Sequence, residues 1–168
     1  MQNNYYTDRF LEDNFEQTVR KKEKLVQEKY TEKQLKELYF DNAQKLNQAL
    51  IEFKPNRHQK QANKDHKKLM LAYLDECIDY DLSNLSYREK EEFDNKYVSQ
   101  VASKLTFLGF KMKKFVPFFI GAALIVDILL SLFGIAKHYY YIPIITVFVT
   151  YLEFKGLFKA KKRGKLLR

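Results

Sequence analysis

The sequence predicts an all-α protein, with N-terminal antiparallel helical segments forming a small bundle, followed by a two-helix transmembrane hairpin. Three observations carry this prediction. Apolar residues recur every three to four positions as far as Leu108. Two Thr/Ser-x-x-Gln/Glu boxes mark helix starts. Two long apolar runs, parted by Lys137 and His138, are followed by a lysine-rich segment.

The first helical stretch runs from about Asp8 to Tyr30, with sparse apolar residues (Leu11, Phe15, Val19, Leu25, Val26) and dense charge from Arg20 to Lys24. A second starts at Thr31, where Thr31 to Gln34 fits a capping box. Leu35, Leu38, Ala43, Leu46, Leu50 and Phe53 then form one stripe. Pro55 ends it, because proline disfavours helix in the residue before it. A third helix spans about Arg57 to Tyr80 and buries Leu69, Met70, Leu74, Cys77 and Ile78. The segment from Asp81 to Asn84 reads as a turn. A second capping box at Ser86 to Glu89 opens a fourth helix carrying Phe93, Val98, Val101 and Leu105, and Gly109 ends it. Such stripes need one another to be buried, which makes residues 1–110 a soluble helical bundle.

Charge is unevenly distributed. Residues 1–114 hold 22 Lys/Arg against 19 acids, residues 155–168 hold seven Lys/Arg and no acid, and only Asp127, Lys137 and Glu153 lie between. The formal +9 is therefore concentrated in a short C-terminal stretch. A basic stretch directly after an apolar segment points to membrane orientation and anionic lipid headgroups as partners, and away from nucleic acid. No small-molecule substrate is implied.

Residues 111–158 make the hairpin, with spans of about 115–136 and 139–157 and a basic tail over 159–168. Phe115 to Ala136 has one charge in 22 residues, enough to cover about 33 Å as a helix. Pro117 and Pro143 fall in the first turn of their spans, where proline removes no helical hydrogen bond. Tyr139, Tyr140 and Tyr141 stand where aromatic rings favour a membrane interface. Lys111, Lys113 and Lys114 precede the first span. Lys155, Lys159, Lys161, Lys162, Arg163, Lys165 and Arg168 follow the second. By the positive-inside rule both termini face the cytoplasm, or the matrix in a mitochondrial inner membrane.

Asp127 lies thirteenth in its 22-residue span, where an ionised carboxylate costs at least about 2.5–3.5 kcal/mol. Either it relays protons, or it hydrogen-bonds to a neighbouring helix, and antiparallel pairing puts Thr146 at its depth with Thr150 one turn away. The structural reading is preferred, since two spans do not enclose a pathway. Gly121, Ala122 and Ala123 offer a small face for helix approach.

Catalytic and cofactor signatures are missing. His58, His66 and Cys77 are too widely spaced for a zinc site, and a single cysteine supports no internal disulfide. No phosphate-binding loop, GxSxG, HExxH or CxxC occurs, and no secretory signal or presequence pattern opens the chain. No cofactor or metal is expected, and an enzyme is not.

The function this predicts is an accessory or structural subunit of a multi-subunit membrane complex, contacting other membrane-protein subunits. Composition biased toward Lys, Asn, Tyr and Phe, as in an AT-rich genome of a single-celled eukaryote or a bacterium, together with the two-span topology and the missing catalytic motifs, leads to a mitochondrial inner-membrane respiratory-chain or ATP-synthase assembly as the specific expectation. The alternatives are a bacterial two-span effector conducting ions or protons as an oligomer, and a membrane-tethered assembly factor.

Overall fold

The structure, a computed structural model, describes residues 7–132 and 143–167. It is mostly helical and divides into two compact units, Met1–Leu105 and Thr106–Arg168.

In the first unit the expected helices are subdivided. Asn14 interrupts the first into α1 (Asp8–Asp13) and α2 (Phe15–Lys29). The second becomes α3 (Glu32–Glu37) and α4 (Phe40–Glu52), broken at Tyr39. Tyr39 is left-handed, with φ at 59°, which costs a non-glycine residue about 1–2 kcal/mol. The same bend presents the Leu38 carbonyl to the buried Tyr73 hydroxyl at 2.9 Å. Both capping boxes form, at Thr31/Gln34 and Ser86/Glu89.

α5 (Lys60–Asp79) is the central helix, with Met70, Leu71, Tyr73, Leu74 and Cys77 fully buried. Its end is closed from α2, since Lys29 Nζ donates to the carbonyls of Cys77, Ile78 and Tyr80 at 2.6–3.1 Å. A cation there satisfies orphan carbonyls and opposes the helix dipole. α6 (Tyr87–Asp94) continues through a π-turn at Asn95–Ser99 into α7 (Gln100–Lys104). Ser99 Oγ bridges that turn to the buried Asp94 at 2.5 Å.

The helix directions are those of alternate members of an antiparallel bundle. Glu12 pairs with Lys64, Lys22 with Asp75, and Lys29 with the carbonyls beyond Glu76, so α1–α2 and α5 run in the same direction. The intervening α3 and α4 return the chain, which allows it. The α6–α7 arm runs against α5 as well, with Lys96 and Tyr97 meeting Glu76 and Lys104 lying near His66.

The second unit holds β1 (Lys111–Met112), a 3-10 turn at Lys113–Phe115, α8 (Val116–Leu132), α9 (Ile144–Lys162) and β2 (Leu166–Leu167). No helix of the described residues is long and apolar enough to cross a membrane. α8 has 17 residues, and α9, with 19, includes Glu153, Lys155, Lys159, Lys161 and Lys162. α9 both begins and ends later than the sequence pattern suggests, with Pro143 as its N-cap. The expected basic tail is therefore largely helix and strand. Lys137, His138 and the three tyrosines at 139–141 lie outside the described residues.

Candidate functional site

The hairpin of α8 and α9 concentrates the features that the first unit lacks. In water an amphipathic helix turns its apolar side inward. Here Phe118, Ile125, Phe148, Tyr151 and Phe158 are each at least 60 % exposed, while of the described side chains in the two helices only Val116, Ala123 and Ala160 are buried. Leaving a large apolar side chain in water forgoes about 1.5–3 kcal/mol. An apolar surface this continuous marks a place where something other than water belongs.

The two helices are antiparallel and joined at two polar points. At the first, the Asp127 carboxylate accepts from the Ile145 N–H at 3.2 Å, the Thr146 N–H at 2.7 Å and the Thr146 hydroxyl at 2.7 Å. These N–H groups belong to the first turn of α9, which has no partner for them within the helix. Pro143 at the N-cap has no side-chain acceptor, so the carboxylate of a neighbouring helix does that work. Thr150, one turn further along, is not among the groups Asp127 accepts from.

At the second point, Lys111 Nζ donates to Glu153 Oε2 at 2.8 Å. The lysine crosses α9 over Gly156, where an added Cβ would lie 2.7 Å from Nζ and 2.8 Å from Cε. Glycine here admits a side chain passing close to the backbone.

Beyond α9 the chain folds back on itself. Gly164, with φ at 68°, ends the helix, its N–H bonding the Lys161 carbonyl at 3.1 Å and the Lys165 N–H the Ala160 carbonyl at 2.8 Å. This is a Schellman closure, which needs the left-handed residue that glycine supplies. Leu166 and Leu167 then pair in parallel with Lys111 and Met112. Lys165 Nζ donates to the Leu108 carbonyl at 2.8 Å and lies over the Phe110 ring.

The basic residues thus sort into two groups. Lys111 and Lys165 are held within the unit. Lys113, Lys155, Lys159, Lys161, Lys162 and Arg163 are exposed, and of Lys114 only the backbone is described. Residues 106–168 contain eleven Lys/Arg and two acids, Asp127 and Glu153, while residues 1–105 hold 19 of each. The whole formal +9 therefore belongs to the hairpin unit, and both of its acids are bonded inside the hairpin.

Elsewhere the candidate ligands stay apart. Cys77 is fully buried and His66 is buried on α5, while His58 is exposed in the preceding turn. Burial pushes the Cys77 thiol up to about 12. Sequence reasoning missed a polar cluster in which Lys96 and Tyr97 both donate to Glu76. Burial and the facing carboxylate push the Tyr97 hydroxyl up to about 12. It also missed Gly156, whose purpose depends on a lysine far away in sequence. No known protein family, curated protein or solved structure matches the chain.

Proposed function

We propose that this chain is a non-catalytic accessory subunit of a multi-subunit membrane complex, anchored by the α8–α9 hairpin with both termini on the basic side. The observation that carries the reading is the exposed apolar surface of the hairpin, bounded at one end by exposed cations. A hydrocarbon layer covers such a surface, and an anionic leaflet receives such an end.

The Asp127 cap fits this reading. If Lys155 marks the edge of the hydrocarbon, Thr146 lies nine residues deeper, about 13 Å along the helix and near the middle of a ~30 Å core. A helix starting there has no water for its first N–H groups, and each group left bare costs several kcal/mol. A carboxylate bonded to the start of a helix is engaged structurally, which favours a subunit over a proton-conducting oligomer.

Length bears on how far the hairpin goes. The 17 residues of α8 make about 25 Å of helix, so a full crossing needs residues 133–142 as well.

The charge polarity and the lysine-, tyrosine- and phenylalanine-rich composition favour a mitochondrial inner-membrane respiratory-chain or ATP-synthase assembly, with the termini in the matrix. A membrane-tethered assembly factor shares these features and differs in dissociating after assembly.

Two measurements test the proposal. After extraction in mild detergent, the chain is expected to migrate with other subunits on a native gel, and a free species of 20.2 kDa would sink the subunit reading. An impermeant maleimide should label Lys137→Cys and Lys165→Cys from opposite sides of sealed membranes. Labelling of both from one side would remove the transmembrane reading.

A further inference from the structure

One face of α9 changes character along its length. Ile144, Phe148, Tyr151, Lys155, Lys159 and Lys162 follow at intervals of three or four, which places them in one stripe. All six are exposed. The stripe is apolar as far as Tyr151 and cationic from Lys155 on, and Phe158, 75 % exposed, stands beside the lysines. Lys155 also lies over the Tyr151 ring at 5.7 Å, at the point where the character changes.

We infer that the Lys155, Lys159 and Lys162 stripe of α9 is a docking surface for anionic phospholipid headgroups, and that Lys111 and Lys165 take no part in it. The inference rests on the membrane reading and goes further by separating headgroup-binding lysines from lysines that hold the fold. Three arguments carry it. Both acids of the hairpin unit are bonded within the hairpin, Asp127 to the start of α9 and Glu153 to Lys111, so neither neutralises the stripe. Lys155 to Lys162 covers about 10 Å of helix, comparable to the polar layer on one side of a bilayer, which is roughly 5–8 Å. Phe158 supplies an apolar ring among the cations, as an interfacial segment does when its rings reach the acyl boundary. A nucleic acid would neutralise the lysines equally well but gives no account of the apolar half of the same stripe.

The chain contains no tryptophan, so Phe158→Trp places a single tryptophan, excited apart from the tyrosines, beside the lysines. The full chain carrying it is reconstituted into phosphatidylcholine vesicles doped with brominated phosphatidylglycerol or brominated phosphatidylcholine. Flotation after a carbonate wash scores insertion separately. The expected result is insertion in both mixtures with stronger quenching by phosphatidylglycerol. That preference should shrink by up to about fivefold for each of Lys155→Gln, Lys159→Gln and Lys162→Gln at low salt, and stay unchanged in Lys165→Gln.

Insertion with equal quenching by the two lipids overturns the inference and leaves the membrane reading standing. A loss of preference as large in Lys165→Gln as in Lys155→Gln also overturns it. So does a preference abolished by inorganic phosphate, which marks a general anion site, or by a single-stranded RNA of equal charge, which marks a nucleic-acid surface. Failure to float removes the membrane reading, and this inference with it.

Discussion

Asp127 of α8 closes the first turn of α9 through Thr146, whose backbone N–H and hydroxyl both donate to the same carboxylate oxygen at 2.7 Å. The helix that needs the cap and the residue that supplies it belong to different segments. The carboxylate is therefore holding a helix end, in line with the structural role preferred for it from the sequence.

Replacing Asp127 separates the cap from the charge. Asn keeps one acceptor oxygen for Thr146 but sets an NH2 where the other oxygen accepts from Ile145, so Asp127→Asn should cost less than the about 1–2 kcal/mol expected for Asp127→Ala. Unfolding of the reconstituted chain, followed by circular dichroism, reads both. Equal losses in the two variants would show that the charge matters and the cap does not.

Gly156 and Glu153 should be coupled through Lys111. Gly156→Ala gains about 1 kcal/mol of helix propensity, but its methyl occupies the lysine's path and displaces it from Glu153. In a Glu153→Gln background there is no ion pair left to displace. A double-mutant cycle should yield a coupling of about 0.5–1 kcal/mol. Strict additivity would mean that the lysine finds another route to the carboxylate.

Tyr73→Phe removes the donor that satisfies the Leu38 carbonyl in the core of the first unit. The expected loss is about 1–2 kcal/mol, the penalty for a buried acceptor left bare. A fall in the urea midpoint of the full chain in detergent, with an unchanged slope, measures it. A neutral substitution would mean that the carbonyl has found another donor.

Stability should fall on the acid side of neutrality through His66. Its burial and the nearby Lys104 hold the imidazole below its ordinary value of 6.5, with Asp65 opposing them. The folded chain therefore binds this proton less readily than the unfolded chain. The stability it retains above 6.5 is lost as the pH drops below that value. His66→Gln should flatten this part of the pH profile, and an unchanged profile would point to other groups.

Cys77 should resist alkylation in the folded chain. Its thiol is fully buried and pushed up to about 12, and the thiolate is the reactive form. Iodoacetamide at mildly alkaline pH should modify it only after denaturant is added. Rapid labelling of the native chain would show that α5 opens readily.

The sequence by itself determined the helical class, the two capped helix starts and the segregation of charge toward the C-terminal stretch. These follow from periodicity and capping, which act over three or four neighbouring residues. The break at Tyr39 was less legible, since a left-handed tyrosine has no local signature and is held by the bond from Tyr73 to the residue before it. The shared direction of α2 and α5 depends on pairs such as Lys22 and Asp75, 53 residues apart. Thr146 could be paired with Asp127 by depth alone, but the capping role appears only once α9 is seen to start at Ile144. Lys111 and Lys165 look like the other lysines in sequence. Only the tertiary structure turned one toward Glu153 and the other toward the Leu108 carbonyl, because a side chain's partner is decided by the segments that fold against it.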